Sequence, residues 1–432
     1  MSLLRKTVVR WGAHLLLAPL LLVACAPGTG SDAFRTPSIV SADAALAWKA
    51  ATLRATLSTP RADRCGFLFE NADGVWQTLP CVLVDCAFDA PVEGLEPGRT
   101  YRFLAYAEAG ENRITTDTLR FTAREALPSD PIDVEDPAFK NWLLARYDRD
   151  GDGEISFSEA EAVRSIGIWP TNRYHLESLQ GIEYMPNLET IDCWGDWDED
   201  AQTPAGTLRF VDLSRNPRLT AVALSHNAAL GERVPDLDLS GCPAMRFFDA
   251  VDCGIRRIDV SGCPALEDLS MYSNALTTLD LRSCPRLRLL SIADNRLTEI
   301  DVSENAALED LAFNGNPLRG IDLSHNPRLW RICCWACGLE SLDLSANPEL
   351  QFLQANNNRL RTLDVSCNLN LGAPSDSDSG LWCSGQHDEA GRNLLETLYV
   401  AAGQEIPFVT VDRSEEHVPS ETRIVVVPST GE

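Results

Sequence analysis

The sequence predicts a multidomain, β-rich protein with a β-sandwich first, a small helix–loop–helix segment next and a long solenoid of stacked coils last. Three observations predict this order. Segments of alternating polarity fill residues 36–124, a twelve-residue acidic loop lies within residues 136–170, and one pattern recurs every 21 residues in the second half of the chain. These periods are typical of half-buried strands, of a cation-binding loop and of a repeat protein.

Length and composition support several folded domains and exclude one class of partner. The chain has 432 residues, 44% of them hydrophobic, and a formal net charge of −26. That apolar content is enough to build buried cores. A chain this acidic repels phosphate backbones, so we expect no nucleic-acid partner.

The N-terminus has the layout of a bacterial export signal. Arg5, Lys6 and Arg10 precede an apolar run over residues 15–23, which is too short to span a bilayer. The run leads into Leu-Val-Ala-Cys, with Cys25 last, and this resembles the lipobox of bacterial lipoproteins. The resemblance implies that Cys25 carries the lipid and becomes the mature N-terminus. The alternative is a plain secretory signal with an incidental cysteine.

This interpretation makes residues 1–24 a signal peptide and residues 25–35 a flexible tether. The lipid is then the expected membrane attachment, because no later segment has the pattern of a transmembrane helix. Export raises the question of disulfides. The pairing of Cys65, Cys81 and Cys86 stays open.

Residues 36–124 have the short strands and turns of a β-sandwich. Residues 94–103, GLEPGRTYRF, resemble the turn into a strand of fibronectin type III domains. The resemblance implies that Tyr101 packs and hydrogen-bonds as a corner post, and that the module acts mainly as a spacer. Residues 125–135, rich in proline and acid, are predicted to be a linker.

A helix is predicted to begin at Asp136, a favourable N-cap followed by Pro137. It leads into residues 148–159, which resemble the EF-hand calcium loop at all twelve positions. Gly153 fills the position that turns with positive φ, and Ile155 fills the apolar position that normally pairs with a second loop. The resemblance implies Ca²⁺ held by the carboxylates of Asp148, Asp150 and Asp152, the carbonyl of Glu154, Ser156 through a water, and both carboxylate oxygens of Glu159.

The loop is solitary in the sequence, because residues 196–201 are acidic but have Ala201 where the loop needs glycine. A single loop is expected to bind Ca²⁺ weakly, at about 10⁻⁴–10⁻³ M, and to act as a structural clamp at the entrance of the solenoid. The alternative is a degenerate loop kept for its turn. The exiting helix is predicted over residues 158–166.

Residues 171–371 repeat themselves in units that contain two half-motifs of the form LxxLxLxxN. This pattern resembles the leucine-rich repeats of bacterial surface proteins. It implies one coil per unit, a short strand on two sides of each coil and a continuous apolar core. Residues 372–432 contain apolar strand signals that are predicted to cap the open end. The regular units start at Leu237, Ile258, Leu279, Ile300, Ile321, Leu342 and Leu363.

Two columns of the repeat hold Asn or Cys. We expect each inward Asn to pair with backbone amides that would otherwise be buried and unpaired, and each Cys to replace it as a packed free thiol. The first column comprises Asn216, Cys242, Cys263, Cys284, Asn305, Asn326, Asn347 and Asn368. The second comprises Cys253, Asn274, Asn295, Asn316, Cys337 and Asn358.

A third column consists of aspartates that point to solvent. The favoured interpretation is that each one hydrogen-bonds to nearby serine or backbone groups, and the alternative is a cation-binding stripe. Its members are Asp212, Asp238, Asp259, Asp280, Asp301, Asp322, Asp343 and Asp364.

The opposite strand face varies from repeat to repeat and is the candidate partner surface, since exposed aromatic residues and arginine are typical interface anchors. The alternative is that the aromatics shield the edge of the core. The candidate residues are Asp249, Tyr272, Trp330, Arg331 and Trp335.

No arrangement of His, Cys or Ser points to catalysis, and the Cys334–Cys337 pair falls on core and ladder positions, so we expect no enzyme. The signal, the sandwich, the acidic loop and the repeats together resemble exported repeat lipoproteins of Bacteroidales bacteria. This resemblance implies an outer-membrane lipoprotein on the cell surface that binds a protein or glycan. The alternative is a structural or accessory lipoprotein of a cell-envelope or nutrient-uptake assembly. The ligand and the oligomeric state stay open.

Overall fold

The computed structural model describes residues 37–371, 380–386, 394–404 and 422–428. The predicted signal peptide, Cys25 and the tether lie outside these residues. The chain divides into two compact units between Leu127 and Pro128. In the described residues no helix is both long enough and apolar enough to cross a membrane.

The first unit consists of two antiparallel sheets that share one hydrophobic core. In one sheet the strand order is β1-β2-β5; in the other it is β4-β3-β6-β7, with β8 also paired to β6. Polarity alternates along the strands as predicted. In β2 every second side chain is buried in the core: Ala51, Leu53, Ala55 and Leu57. The strands are β1 Ile39–Ala47, β2 Ala50–Leu57, β3 Arg64–Glu70, β4 Trp76–Cys81, β5 Ala87–Glu93, β6 Thr100–Ala109, β7 Asn112–Thr115 and β8 Leu119–Thr122.

Tyr101 is buried at the start of β6, and its hydroxyl accepts a 2.8 Å hydrogen bond from the backbone N–H of Glu96. The Tyr101 ring stacks on Phe69 and Phe121. This is the contact expected of a corner tyrosine, while the fibronectin type III resemblance itself stays a prediction. Cys65 and Cys81 face each other across β3 and β4 as free thiols.

The second unit begins with the helices around the acidic loop. Helix α1 spans Pro137–Tyr147 and helix α2 spans Phe157–Ala160. The prediction of an exiting helix over residues 158–166 was too long. The chain leaves α2 early because Ile166 is buried in the solenoid core, within strand β9 (Ser165–Gly167). The repeat sheet therefore starts before residue 171.

One side of the solenoid is a continuous ten-stranded parallel sheet, which we call the sheet face. Neighbouring regular coils pair in register at a step of 21 residues, as in Leu269 with Leu290. The middle residue of each strand is buried and forms a column of the core. The strands are β9, β10 Thr190–Asp192, β13 Ala221–Ala223, β15 Phe247–Asp249, β17 Asp268–Ser270, β18 Leu289–Ser291, β19 Asp310–Ala312, β20 Arg331–Cys333, β21 Phe352–Gln354 and β23 Gly380–Trp382.

The other side, which carries the aspartate column and which we call the Asp face, is strand-like only near its ends. Two short parallel sheets occur there, β14-β16 and β22-β24-β25. The prediction of a strand on two sides of every coil is therefore wrong for the middle coils between Asp280 and Asp343. The strands are β14 Asp236–Asp238, β16 Arg257–Asp259, β22 Thr362–Asp364, β24 Thr397–Ala401 and β25 Arg423–Val427.

The C-terminal region extends both sides of the solenoid. Strand β23 adds to the sheet face, and β24 and β25 continue the Asp-face sheet beyond β22. That this region caps the open end of the solenoid stays a prediction. Short elements complete the fold: β11 Trp197–Asp198 paired with β12 Thr203–Pro204, helices α3 Thr171–Tyr174 and α4 Leu230–Arg233, and a 3₁₀ turn at Ile182–Tyr184.

Candidate functional site: the acidic loop and the sheet face

The acidic loop, residues 148–159, is held between α1 and α2. The three carboxylates of Asp148, Asp150 and Asp152 each place an oxygen within 4.8 Å of the other two. The backbone N–H groups of Gly151 and Gly153 donate to the Asp148 carboxylate at 2.6 and 3.2 Å. The loop thus presents a cluster of oxygen ligands, the donor set that hard cations such as Ca²⁺ prefer.

The turn inside the loop follows the predicted backbone course. Gly153 has a φ of +83°, which glycine adopts without steric cost. Lys140 on α1 donates to Glu154 at 2.6 Å and ties the loop to the entering helix. The carboxylates of Asp150 and Asp152 accept N–H groups from within the loop, so the loop's own backbone orients them.

Glu159, the predicted bidentate ligand, lies outside the group formed by the three aspartates. One of its carboxylate oxygens accepts the N–H of Arg149 at 2.6 Å, and the other accepts the N–H and the hydroxyl of Ser156 at 2.9 and 2.8 Å. Burial alone raises the pKa of Glu159, but these hydrogen bonds outweigh it and leave the pKa below its ordinary value. Ser156 and Glu159 thereby form a capping box at the start of α2.

Ile155 is buried and pairs with a segment that sequence analysis assigned to the linker. Its carbonyl accepts the N–H of Ile132 at 2.7 Å, and Pro131 bridges to Ser156. The N–H of Phe157 donates to the carbonyl of Asp130. The chain just before α1 therefore pairs with the end of the acidic loop.

Asp136 joins this segment to the solenoid and is almost fully buried. One carboxylate oxygen accepts the N–H groups of Ala138 and Phe139 at the start of α1. The other oxygen accepts the N–H groups of Glu177 and Ser178 in the first coils, at 2.7 and 2.9 Å. Four donors compensate the burial of this carboxylate, and through them one side chain links the start of α1 to the first coils.

The Asn ladder that follows the sheet face works in the predicted way. The Oδ1 atom of Asn316 accepts the N–H of Leu297 at 3.0 Å, and its Nδ2 donates to the carbonyls of Ile292 and Phe313. Sequence analysis missed the two ends of this ladder, where Asn227 and Gln386 make equivalent bonds. Asn227 lies before an insertion and Gln386 lies after one, so neither is 21 residues from the next ladder residue.

Cysteine replaces asparagine in this ladder where the preceding coil needs no side-chain acceptor. Cys337 donates its thiol to the carbonyl of Phe313, as an Asn amide would. The backbone N–H that Asn would accept belongs to Leu318, and it donates instead to the Asn316 carbonyl at 2.9 Å. At Cys253 the corresponding N–H belongs to Val234, the residue after α4, and it donates to the Leu230 carbonyl at 2.8 Å.

The ladder that follows the Asp face differs from the prediction. Asn326 donates to the carbonyls of Val302 and Asn305 at 2.9 and 3.0 Å, and it accepts no amide from the described residues. These Asn side chains therefore satisfy carbonyls rather than amides. Their Oδ1 atoms are buried without a donor in the described part of the chain, in Asn216, Asn305, Asn326, Asn347 and Asn368.

The ladder cysteines are structural thiols, as predicted. All are free among the described residues, and burial raises the pKa of Cys263 and Cys253 to about 12. Cys334 and Cys337 share this character: burial raises the pKa of Cys334 well above its ordinary value and that of Cys337 to about 11. A thiol with a raised pKa is a poor nucleophile and a poor metal ligand at neutral pH.

The aspartate column is accounted for by local hydrogen bonds. Each of its eight carboxylates accepts the backbone N–H two residues later, as in Asp322 with Ser324 at 2.9 Å. A hydrogen bond with the Ser324 side chain, together with this backbone bond, holds the pKa of Asp322 below its ordinary value. One backbone N–H in each coil is thus satisfied within that coil, without strand pairing.

The sheet face brings some of the predicted partner residues to the surface. Tyr272 and Trp330 are exposed, with 40% and 37% of their surface accessible. Trp335 is half-buried, and Asp249 is engaged locally with Ser225. Arg331 pairs with Asp310 at 3.0 Å and lies over the Phe352 ring.

Sequence analysis missed a charged row along the beginning of the sheet-face strands. Arg246 binds Glu267, and Arg288 binds Glu309, each by two hydrogen bonds across neighbouring coils. The signal was present as an Arg–Glu–Arg–Glu alternation at 21-residue spacing. The row borders an open groove of about 270 Å³, lined by Phe247, Glu267, Asp268, Arg288, Leu289, Glu309, Asp310 and Trp330.

Two acids in this groove differ from those of the Asp face. Burial, with repulsion from Asp249 and Asp310, raises the pKa of Asp268. Burial also raises the pKa of Asp310, although Arg331 opposes the effect. The groove therefore carries carboxylates that are held in a less favourable environment than water.

Comparison with known proteins adds little. No protein family matches the sequence, and no curated protein is significantly similar to it. Among solved structures, the functional domain of InlJ from Listeria monocytogenes, described as including a cysteine ladder, is 19% identical and has a TM-score of 0.29 over 62% of this chain and 82% of that one.

The leucine-rich repeat domain of APL1B is 15% identical, with a TM-score of 0.28 over 62% of this chain and 69% of the other. Both TM-scores are low. The solenoid is defined by the repeats, the strand register and the ladders of this chain itself.

Proposed function

We propose that this protein is a lipid-anchored binding protein of the bacterial cell surface, whose sheet face binds a partner protein. The exposed aromatic side chains along the ten-stranded sheet carry the proposal. Phe247 and Trp330 line one groove with Glu267 and Arg288, and Tyr272 is exposed just after the end of strand β17. Rigid aromatic anchors inside a polar surround are the usual composition of a protein interface.

Variation within the repeat supports the same choice. On the Asp face the same aspartate recurs in each coil, where it accepts a backbone N–H. A partner would therefore find few differences between coils on that face. The sheet face changes from Phe247 to Leu289 to Arg331 at the same strand position, and each change leaves the buried column beneath it intact. Side chains that the fold does not prescribe are available for recognition.

A capture experiment tests this proposal. The full mature chain is immobilised and exposed to proteins of the environment in which it is displayed, in parallel with Trp330→Ala, Tyr272→Ala and the Asp-face control Glu304→Ala. A partner retained by the wild type and the control, and lost by the two aromatic variants, supports the sheet face. A partner retained by all four proteins places binding elsewhere.

We also propose that the acidic loop binds one Ca²⁺ as a structural clamp. Asp148, Asp150 and Asp152 would hold the ion, with the carbonyl of Glu154 as a further ligand. When bound, the cation would neutralise the mutual repulsion of the three carboxylates. The segment around Ile132 pairs with the loop and leads into α1, so stabilising the loop would also stabilise α1 and its contacts with the first coils.

Calorimetric titration of the full chain with Ca²⁺ tests the clamp, with Asp148→Ala as the loop variant. Asp200→Ala, in the acidic hairpin of residues 196–201, is a matched control. We expect weak binding, about 10⁻⁴–10⁻³ M, lost only in the loop variant. Equal heats in wild type and Asp148→Ala would exclude this loop as the site.

The lipid anchor and the surface location stay part of the proposal. Replacing Cys25 by Ser should release the chain from the membrane fraction. Protease treatment of intact cells then separates the proposal from its alternative. An accessory protein of the periplasm should survive the treatment, whereas a surface protein should be cut.

A further inference from the structure

A second groove lies where α1 meets the first coils, and it differs from the rest of this acidic chain. It is open and has a volume of about 660 Å³. Its lining contains two arginines and three aromatic residues but no carboxylate, although the chain has 63 acidic and 37 basic residues. The lining residues are Ala138, Asn141, Trp142, Ala145, Arg146, Gly167, Trp169, Pro170, Arg173 and Tyr174.

Two of the aromatic side chains, Trp169 and Tyr174, are exposed, and two, Trp142 and Trp169, are held in place by neighbouring groups. Trp169 and Tyr174 have about half of their surface accessible, at 50% and 51%. The Trp169 ring stacks on Trp194 with centroids 5.3 Å apart and planes 14° apart. Trp142 is anchored by a 3.1 Å hydrogen bond from its Nε1 to the Gly167 carbonyl. The binding of a ligand that stacks here therefore costs little side-chain entropy in the protein.

The two arginines are free to bind an anion. Neither Arg146 nor Arg173 forms an ion pair with a described carboxylate, although many other arginines of the chain do. Arg146 lies over the Trp142 ring, 4.3 Å from its centroid. The Nη1 atom of Arg146 also donates to the Trp142 carbonyl at 3.3 Å, and the other N–H groups of the guanidinium can bind a carboxylate.

The groove is poorly suited to an extended peptide. Strand β9 is the edge of the ten-stranded sheet, and a peptide could in principle add to it as a further strand. The Nε1 of Trp142 on α1 donates to the Gly167 carbonyl of that strand, so this carbonyl already has a partner at the edge where a peptide would pair. Recognition is left to stacking and to the two guanidinium groups.

We propose that this groove binds a short acidic oligosaccharide. The flat C–H faces of a sugar ring would stack on Trp169 or Tyr174, and a uronic-acid carboxylate would bind Arg146 or Arg173. The ligand is short because a long polyanion would be repelled by a chain of net charge −26 beyond the groove. This proposal is independent of partner binding on the sheet face.

Calorimetric titration with trigalacturonate tests the proposal on the full mature chain. We expect binding that weakens about tenfold or more in Arg173→Ala and in Tyr174→Ala. The matched control Arg328→Ala, an exposed arginine elsewhere on the solenoid, should bind like the wild type. Circular dichroism and thermal unfolding check that each variant is folded.

Maltotriose and triglutamate separate the possible chemistries. Neither should compete with trigalacturonate at similar concentration, because the first lacks the carboxylate and the second lacks the sugar rings. The proposal is overturned if wild type does not bind trigalacturonate, or if the Arg173 and Tyr174 variants bind it normally. It is also overturned if triglutamate binds as tightly, which would make the groove an acidic-peptide site.

Discussion

The two faces of the solenoid are made by the same repeat but are held together differently. On the sheet face, ten strands bond backbone to backbone, and the outward side chains vary from coil to coil. On the Asp face, the middle coils have no strands, and one aspartate per coil satisfies a backbone N–H of its own coil. On the sheet face the hydrogen bonds join backbone groups, so the outward side chains can vary. On the Asp face a side chain makes the hydrogen bond, so the same residue recurs in each coil.

The ladders show the same contrast at single residues. Asn316, behind the sheet face, accepts and donates, whereas Asn326, behind the Asp face, only donates. Both carbonyls that Asn326 reaches also accept a backbone N–H, from Asn305 and Leu308. The second ladder residue is therefore easier to replace. The difference can be measured with one substitution made at both positions.

The largest expected effect is on stability in Asn316→Cys. The cysteine leaves the N–H of Leu297 buried without an acceptor, which should lower the free energy of unfolding by about 2 kcal/mol. Asn326→Cys should lower it by less than about 1 kcal/mol, because cysteine already occupies this column at Cys242, Cys263 and Cys284. Denaturant unfolding of both variants measures the difference. Equal losses at the two positions would contradict the distinction between the ladders.

A change on the sheet face should affect binding rather than stability. Tyr272→Ala removes an exposed aromatic anchor and should weaken a captured partner by about tenfold, with little change in unfolding. Glu304→Ala, exposed on the Asp face, should change neither. Surface plasmon resonance with the full chain compares the three proteins. A loss of affinity in the Asp-face variant as large as that in Tyr272→Ala would break the assignment of roles to the faces.

The acids of the two faces should respond to pH in opposite directions. Burial and neighbouring acids raise the pKa of Asp268, so its charge is unfavourable in the folded state at neutral pH. Asp268→Asn should therefore slightly stabilise the protein at neutral pH. The gain should disappear as the pH falls through the raised pKa towards about 3.9, where the carboxyl is protonated in both states.

Asp259, on the Asp face, has its pKa lowered by hydrogen bonds from Ser261. Asp259→Asn should slightly destabilise the protein above a pH of about 3.9, and the difference should vanish as the pH falls through the lowered pKa. Unfolding of both variants at a series of pH values checks the signs. The same sign for both variants at neutral pH would show that the environments of these carboxylates are alike.

The smallest effect is expected from thiol reagents, which should leave the solenoid intact. Iodoacetamide at neutral pH should label Cys367, which is exposed, before any ladder cysteine. Burial raises the pKa of Cys242 and Cys284 to about 11, so little thiolate is present there. Mass spectrometry of native and unfolded protein gives the order of labelling. Rapid native labelling of Cys334 or Cys337 would point to chemistry at that pair.

The sequence by itself determined the repeat, the core columns and the two ladders, because stacked coils impose a fixed 21-residue period on every buried position. It also determined the turn at Gly153 and the corner contact of Tyr101, since both follow from local residue chemistry. Features that depend on a fixed period, or on residues close together in the chain, can be predicted from the sequence.

Only the tertiary structure decided features that join segments distant in sequence. It placed Ile132 beside Ile155, gave the Asp136 carboxylate its donors from Glu177 and Ser178, and gathered Arg146 and Arg173 with three aromatic rings in one groove. It also showed that the Asp face needs no strands in the middle coils. These outcomes depend on where hydrogen-bond donors and unpaired charges meet in space, and no spacing along the chain encodes that meeting.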